Sequence, residues 1–115
     1  MANNKTYTEY KFLTVVDRKF GRDLLSRMEK LNEEVSELFE AYGDAYQSFS
    51  EETKLTDNPE LLDHLRDEVA DTFAVITHIA DILGMNQRDM FERVLDKLKQ
   101  RETDPEYKKQ KSIVN

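Results

Sequence analysis

The sequence predicts an all-α protein, an antiparallel bundle of about four helices completed by dimerisation. Three observations predict it. Apolar residues make up 38% and charged residues 36% of the 115-residue chain, and the apolar ones recur at threes and fours. There are only three Gly and two Pro, too few for the turns that a sheet of short strands needs. A single domain of this length buries a modest core and commonly shares an apolar face with a partner.

Each helix has its own signals. The first spans about Thr8 to Lys19, carries Phe12, Val15, Val16 and Phe20, and is interrupted at Gly21. The second runs from about Asp23 to Gln47 on the stripe Leu24, Met28, Leu31, Val35, Leu38, Tyr42 and Tyr46. Ser48 to Asn58 is polar and reads as a loop. Asn58-Pro59-Glu60 opens the third helix, because Asn caps, Pro fits the first turn and an early acid suits the dipole. That helix ends near Leu83, with Gly84 as its C-terminal cap. Asn86 caps the fourth, about Gln87 to Arg101, with Met90, Val94 and Leu98 as its stripe. Pro105 blocks any continuation, since it lacks the amide hydrogen. The domain is expected over residues 1–103, with a polar tail over 104–115.

Composition also excludes. The net charge of −7 argues against a nucleic-acid duplex as partner. The chain has no Cys, hence no disulfide and no thiolate metal site. Met1 to Phe12 contains no apolar run flanked by basic residues, and no stretch reaches the roughly 20 apolar residues of a membrane span. A soluble, cytoplasmic protein is expected. The charge is divided along the chain: Glu29 to Asp71 holds 14 acids and 3 bases, whereas Lys97 to Lys111 holds 6 bases and 3 acids. Solvated helix faces explain such counts; so does a metal–phosphate site.

Position separates these explanations. Glu34 and Glu37 on the second helix, and Glu68 and Asp71 on the third, are pairs three residues apart on one side of a helix, where like charges repel. On a wheel of 100° per residue, with Leu61 at 0°, Glu68 falls at about −20°, inside the apolar stripe, and Asp71 at about −80°, on its edge. With Leu24 at 0°, Glu34 lies near −80° and Glu37 near −140°, flanking the core, while Glu33 and Glu40 point to solvent. An ionised carboxylate in a core must be paired, protonated or metal-bound. An ion pair of Glu68 with Lys97 or Arg101 is one resolution. A divalent cation is the other, and oxygen-only ligands suit Mg²⁺, with Mn²⁺ as substitute. Lys97 and Arg101 lie within about 20° of Met90 on the fourth helix, so its apolar stripe turns basic where it can meet phosphates. His64 and His78 read as packing or interface residues, being about 10 Å along the axis from Asp71. Phe39, Tyr42, Tyr46 and Phe73 read as core. Phe12 and Tyr10 are the candidates for stacking on a base.

Leu31-Asn32-Glu33-Glu34-Val35-Ser36-Glu37-Leu38, followed by Asp67-Glu68-Val69-Ala70-Asp71, resembles the paired E-E-x-x-E and E-x-x-D motifs of the MazG-type all-α nucleotide pyrophosphohydrolases. Ile79 to Asn86 and Val94 to Leu98 are also similar to that family, so the resemblance runs from about Met28 to Arg101. It implies a homodimer or homotetramer with Mg²⁺ on Glu34, Glu37, Glu68 and Asp71. Glu33 matches the first acid of the double Glu, which orients the site or activates water, and Glu37 is the other candidate for that role. Lys97 matches a phosphate-contacting lysine, and Arg101 stands near where members often carry a further Arg. The implied activity is Mg-dependent hydrolysis of (deoxy)nucleoside triphosphates to monophosphate and pyrophosphate, in nucleotide-pool cleansing. Phosphoribosyl-ATP or dUTP pyrophosphatase of the same fold, or a non-catalytic helical regulator, are the alternatives.

Overall fold

The computed structural model describes residues 5–47, 58–103 and 106. They form four helices: α1 (Tyr7–Phe20), α2 (Leu24–Gln47), α3 (Pro59–Ile82) and α4 (Gln87–Thr103). The predicted boundaries hold to within two residues because the caps are real. Thr6 accepts from the Glu9 amide at the start of α1. Asn58 accepts from Leu61 N at 3.3 Å and Pro59 occupies the first turn of α3. Asn86 and Asp89 cap α4 reciprocally: the Asn86 side chain accepts from Asp89 N, and the Asp89 carboxylate from Asn86 N. Gly21 and Gly84 adopt φ of +74° and +83°, a region open to glycine at little cost, and there α1 and α3 stop. The predicted loop from Ser48 lies outside the described residues up to 57, as do Pro105 and most of the tail.

The core is an antiparallel pairing of α2 with α3. Two seams of alternating four- and three-residue steps meet there. On α2 the buried or half-buried line is Arg27, Leu31, Glu34, Leu38, Ala41 and Ala45; on α3 it is Leu61, Leu65, Glu68, Thr72, Val75 and Ile79. Ala41 and Ala45 are small enough for the helix backbones to approach closely. The α3 seam holds Leu61 and Glu68 on one face, as predicted, while Ile76, expected beside them, is exposed. The α2 seam is rotated from the predicted stripe, sharing only Leu31 and Leu38 with it. Leu24, Met28, Tyr42 and Tyr46 are exposed, as are Phe39 and Phe73, so the expectation that the four aromatics form the core is corrected. Helix α2 has two apolar faces, and this chain buries the one of smaller residues.

Helix α1 crosses the other side of α3, where His78 is fully buried and its Nε2 lies 2.8 Å from Asp17 Oδ1. The Arg22 guanidinium bridges Asp17 and Asp81, and Lys5 also pairs with Asp81. Burial alone would push the Asp81 carboxyl up; hydrogen bonds from Lys5 and Arg22 outweigh it and hold the group below the usual carboxylate range. His78 is thus a packing residue, as expected, whereas His64 is exposed. Helix α4 touches α3 lightly and buries no residue completely. Its Val94 is exposed, with Phe91 and Leu95 beside it, so the predicted α4 stripe is only half covered, at Met90 and Leu98.

Candidate active site

Both core seams carry an acid at the same level. Glu34 on α2 is 7% exposed, and Glu68 on α3 is half-buried. The Thr72 hydroxyl donates to the Glu68 carbonyl at 2.9 Å and lies 3.5 Å from the Glu34 carbonyl on the neighbouring helix, which fixes the register between the two acids. Glu37, one turn on from Glu34, completes the group. One carboxylate oxygen of each of Glu34, Glu37 and Glu68 lies within 4.8 Å of the others. Crowding shows in the chemistry. Repulsion from Glu34, then burial, then further contact with Glu34, Glu68 and Glu33 pushes the Glu37 carboxyl above its ordinary range.

Two oxygens in this cluster, Glu34 Oε2 and Glu68 Oε2, are buried without a hydrogen-bond partner. Orphaned buried acceptors cost about 1–3 kcal/mol each, more when charged. Among the described residues one cation, Lys30, pairs with these acids: its Nζ lies 3.2 Å from Glu34 and 3.3 Å from Glu33. The ammonium meets Glu34 at Oε1 and leaves both orphaned oxygens unmatched. Three convergent carboxylates with two free inward lone-pair sets fit a hard divalent cation, which takes oxygen ligands.

The predicted residues are placed as follows. Glu34, Glu37 and Glu68 come together. Asp71 is exposed, one turn beyond Glu68 on α3, outside the tight cluster. Glu33 is exposed, as expected, and paired with Lys30. Glu68 forms no ion pair with Lys97 or Arg101. Lys97 is exposed and lines a groove with Gly84, Met85, Asp89, Glu92, Arg93 and Gln100, among others; none of the four acids lines it. Arg101 is half-buried at the end of α4. Lys30 was missed by sequence reasoning, although its spacing of three and four residues before Glu33 and Glu34 was available as a signal.

An all-α fold whose two central helices gather three carboxylates at one level offers oxygen ligands of the kind a divalent cation takes. The particular family follows from the sequence as a whole. The chain belongs to the MazG nucleotide pyrophosphohydrolase domain family, whose model matches residues 22–105. That span covers α2, α3 and α4, and with them every acid of the cluster. Members are typically dependent on a divalent metal. No curated protein and no solved structure matches the chain. None of the described helices is long and apolar enough to cross a membrane.

Proposed function

We propose that this protein hydrolyses (deoxy)nucleoside triphosphates to the monophosphate and pyrophosphate, with Mg²⁺ as cofactor and Mn²⁺ as substitute. The observation that carries the reading is the convergence of Glu34, Glu37 and Glu68 with two buried oxygens left without partners. Glu34, Glu37 and Glu68 would hold the cation, with Asp71, on the exposed edge of α3, as the further acid that could join them. When bound, the metal neutralises phosphate charge and lowers the pKa of a coordinated water. Glu37 takes the proton of the attacking water. Glu33, held by Lys30, orients that water or keeps the cluster in register. Water attacks the α-phosphorus, and pyrophosphate leaves with its charge matched by cationic side chains.

Lys97 and Arg101 are those cations. Within one chain Lys97 lines a separate groove, so its contact with substrate phosphates is made across a subunit boundary. The exposed Phe91, Val94 and Leu95 on α4, with Phe39, Tyr42 and Tyr46 on α2, form apolar surface of the kind that a homodimer or homotetramer covers. The setting is cytoplasmic nucleotide-pool cleansing. The test is incubation with Mg²⁺ and a panel of standard and damaged nucleoside triphosphates, with pyrophosphate as the readout. Pyrophosphate from at least one nucleotide, abolished by chelation, is expected; release of single phosphates, or no turnover of any, overturns the reading.

A further inference from the structure

Lys30 stands against the carboxylate cluster from within the same helix. Its ammonium lies 3.3 Å from Glu33 Oε1 and 3.2 Å from Glu34 Oε1. As a device for stability the arrangement is modest. The lysine precedes both acids, the weaker order for a helical ion pair, and its side chain is 35% exposed, where such pairs add little. Two further observations give it another use.

The first is how Glu34 divides its oxygens. Oε1 meets the ammonium, whereas Oε2 is buried without a partner. A cation held at Oε2 would share one carboxylate with Lys30. An ammonium carries three N–H donors. Glu33 and Glu34 take two, and among the described residues the third has no partner.

The second is the charge balance. Glu33, Glu34, Glu37 and Glu68 bring four negative charges together, and among the described residues Lys30 alone pairs with any of them. A single divalent cation brings the balance only to minus one, and a triphosphate adds several negative charges more. Lys97 lies in a separate groove of the same chain. A phosphate seated at the cluster therefore meets Lys30 before any cation of α4.

We infer that Lys30 is a phosphate-binding residue of this site, which neutralises Glu34 in the metal-free protein and gives its free N–H donor to a phosphate oxygen once a cation has taken over Glu34. The inference rests on the nucleotide reading above and adds a contact from α2 to those of Lys97 and Arg101. Lys30 then has two opposed effects. Without phosphate it weakens cation binding, because two positive charges share Glu34. With phosphate it strengthens the complex through a charge-assisted hydrogen bond. Glu33 holds the ammonium in both states and so fixes where the flexible stem points.

The opposed signs make the test. The full chain is titrated calorimetrically with Mg²⁺ alone, and then, at saturating Mg²⁺, with inorganic tripolyphosphate. Neither probe requires turnover or a known base. Lys30→Met keeps the apolar stem and removes the charge. It should bind Mg²⁺ alone at least about twofold more tightly than the wild type and tripolyphosphate about tenfold or more weakly. Lys30→Arg keeps the charge and should recover most of the tripolyphosphate affinity. Unchanged tripolyphosphate binding in Lys30→Met overturns the inference. Tighter binding of both probes also overturns it, since Lys30 is then a counter-ion that only obstructs the site. Weaker binding of both, with no recovery in Lys30→Arg, reduces the residue to a structural one and overturns it as well. The two readings fail separately: a wild type that binds Mg²⁺ and tripolyphosphate irrespective of residue 30 refutes the Lys30 assignment alone, whereas a wild type that binds neither probe refutes the pyrophosphohydrolase reading and the Lys30 assignment with it.

Discussion

Replacing Glu68 by Gln should stabilise the metal-free protein and weaken its response to Mg²⁺. The magnitude follows from the cluster. Oxygens of Glu34 and Glu68 lie within 4.8 Å of one another, a separation at which two unit charges repel by about 0.9 kcal/mol in bulk water and about 3.5 kcal/mol at an effective dielectric of about 20. Lys30 at 3.2 Å from Glu34 offsets part of this. A net gain of about 1–2 kcal/mol remains for the neutral isostere, and each kcal/mol shifts the midpoint of a domain this small by about 4–8 °C. Saturating Mg²⁺ acts oppositely. At one hundred times its dissociation constant a ligand stabilises the wild type by about 2.7 kcal/mol, and the variant loses a ligand and most of that increment. Thermal melts followed by circular dichroism, with chelator and with Mg²⁺, should therefore cross: the variant is more stable without metal, the wild type with it. A variant that melts lower without metal, or one that gains as much from Mg²⁺ as the wild type, would refute the claim that these acids are held together against their own repulsion for a cation.

Other outcomes follow from the same geometry. Glu37 has a raised pKa, so its proton is favoured in the folded state; the associated stability is full below about 4.5 and lost as pH rises through the folded value. Cation binding displaces that proton, so Mg²⁺ affinity measured by titration calorimetry should climb with pH across this window and flatten in Glu37→Gln. Asp81 has the opposite sign. Its pKa is held below 3.8, so its contribution is present above that value and lost as pH falls through the folded one; Asp81→Asn should lower the neutral-pH melting point by an amount worth about 1 kcal/mol or less and remove that part of the acid sensitivity. Ala41→Leu inserts bulk into the buried α2–α3 seam and should cost about 1–3 kcal/mol by denaturant titration. Lys97→Ala should lower kcat/KM for pyrophosphate release while leaving Mg²⁺ binding intact in the absence of nucleotide, since Lys97 lies outside the carboxylate cluster.

Helix ends were legible because caps are local. Asn58-Pro59 and Asn86 act on the amides beside them, so reading along the chain suffices. Glu68 was legible because its phase on α3 puts it inside an apolar seam. Glu34 was placed at the flank of the core by a wheel centred on Leu24, and it is in fact part of the seam. The error has a physical origin. Helix α2 offers a face of Leu24, Met28, Tyr42 and Tyr46 and another of Leu31, Leu38, Ala41 and Ala45, and hydropathy favours the first. Close packing of two helices favours the second, and no periodicity reveals that Arg27 and Glu34 lie on it. The aromatic face is left for contacts that one chain does not make. Lys97 was set opposite the acids on charge complementarity, which carries no distance; the fold places it in another groove.

The most direct test of the account is hydrolysis of a turned-over nucleoside triphosphate in ¹⁸O-labelled water with Mg²⁺, followed by mass spectrometry of both products. If water is activated at Glu34, Glu37 and Glu68 and attacks the α-phosphorus, the label enters the nucleoside monophosphate and the pyrophosphate stays unlabelled. Label in pyrophosphate or in inorganic phosphate would contradict it.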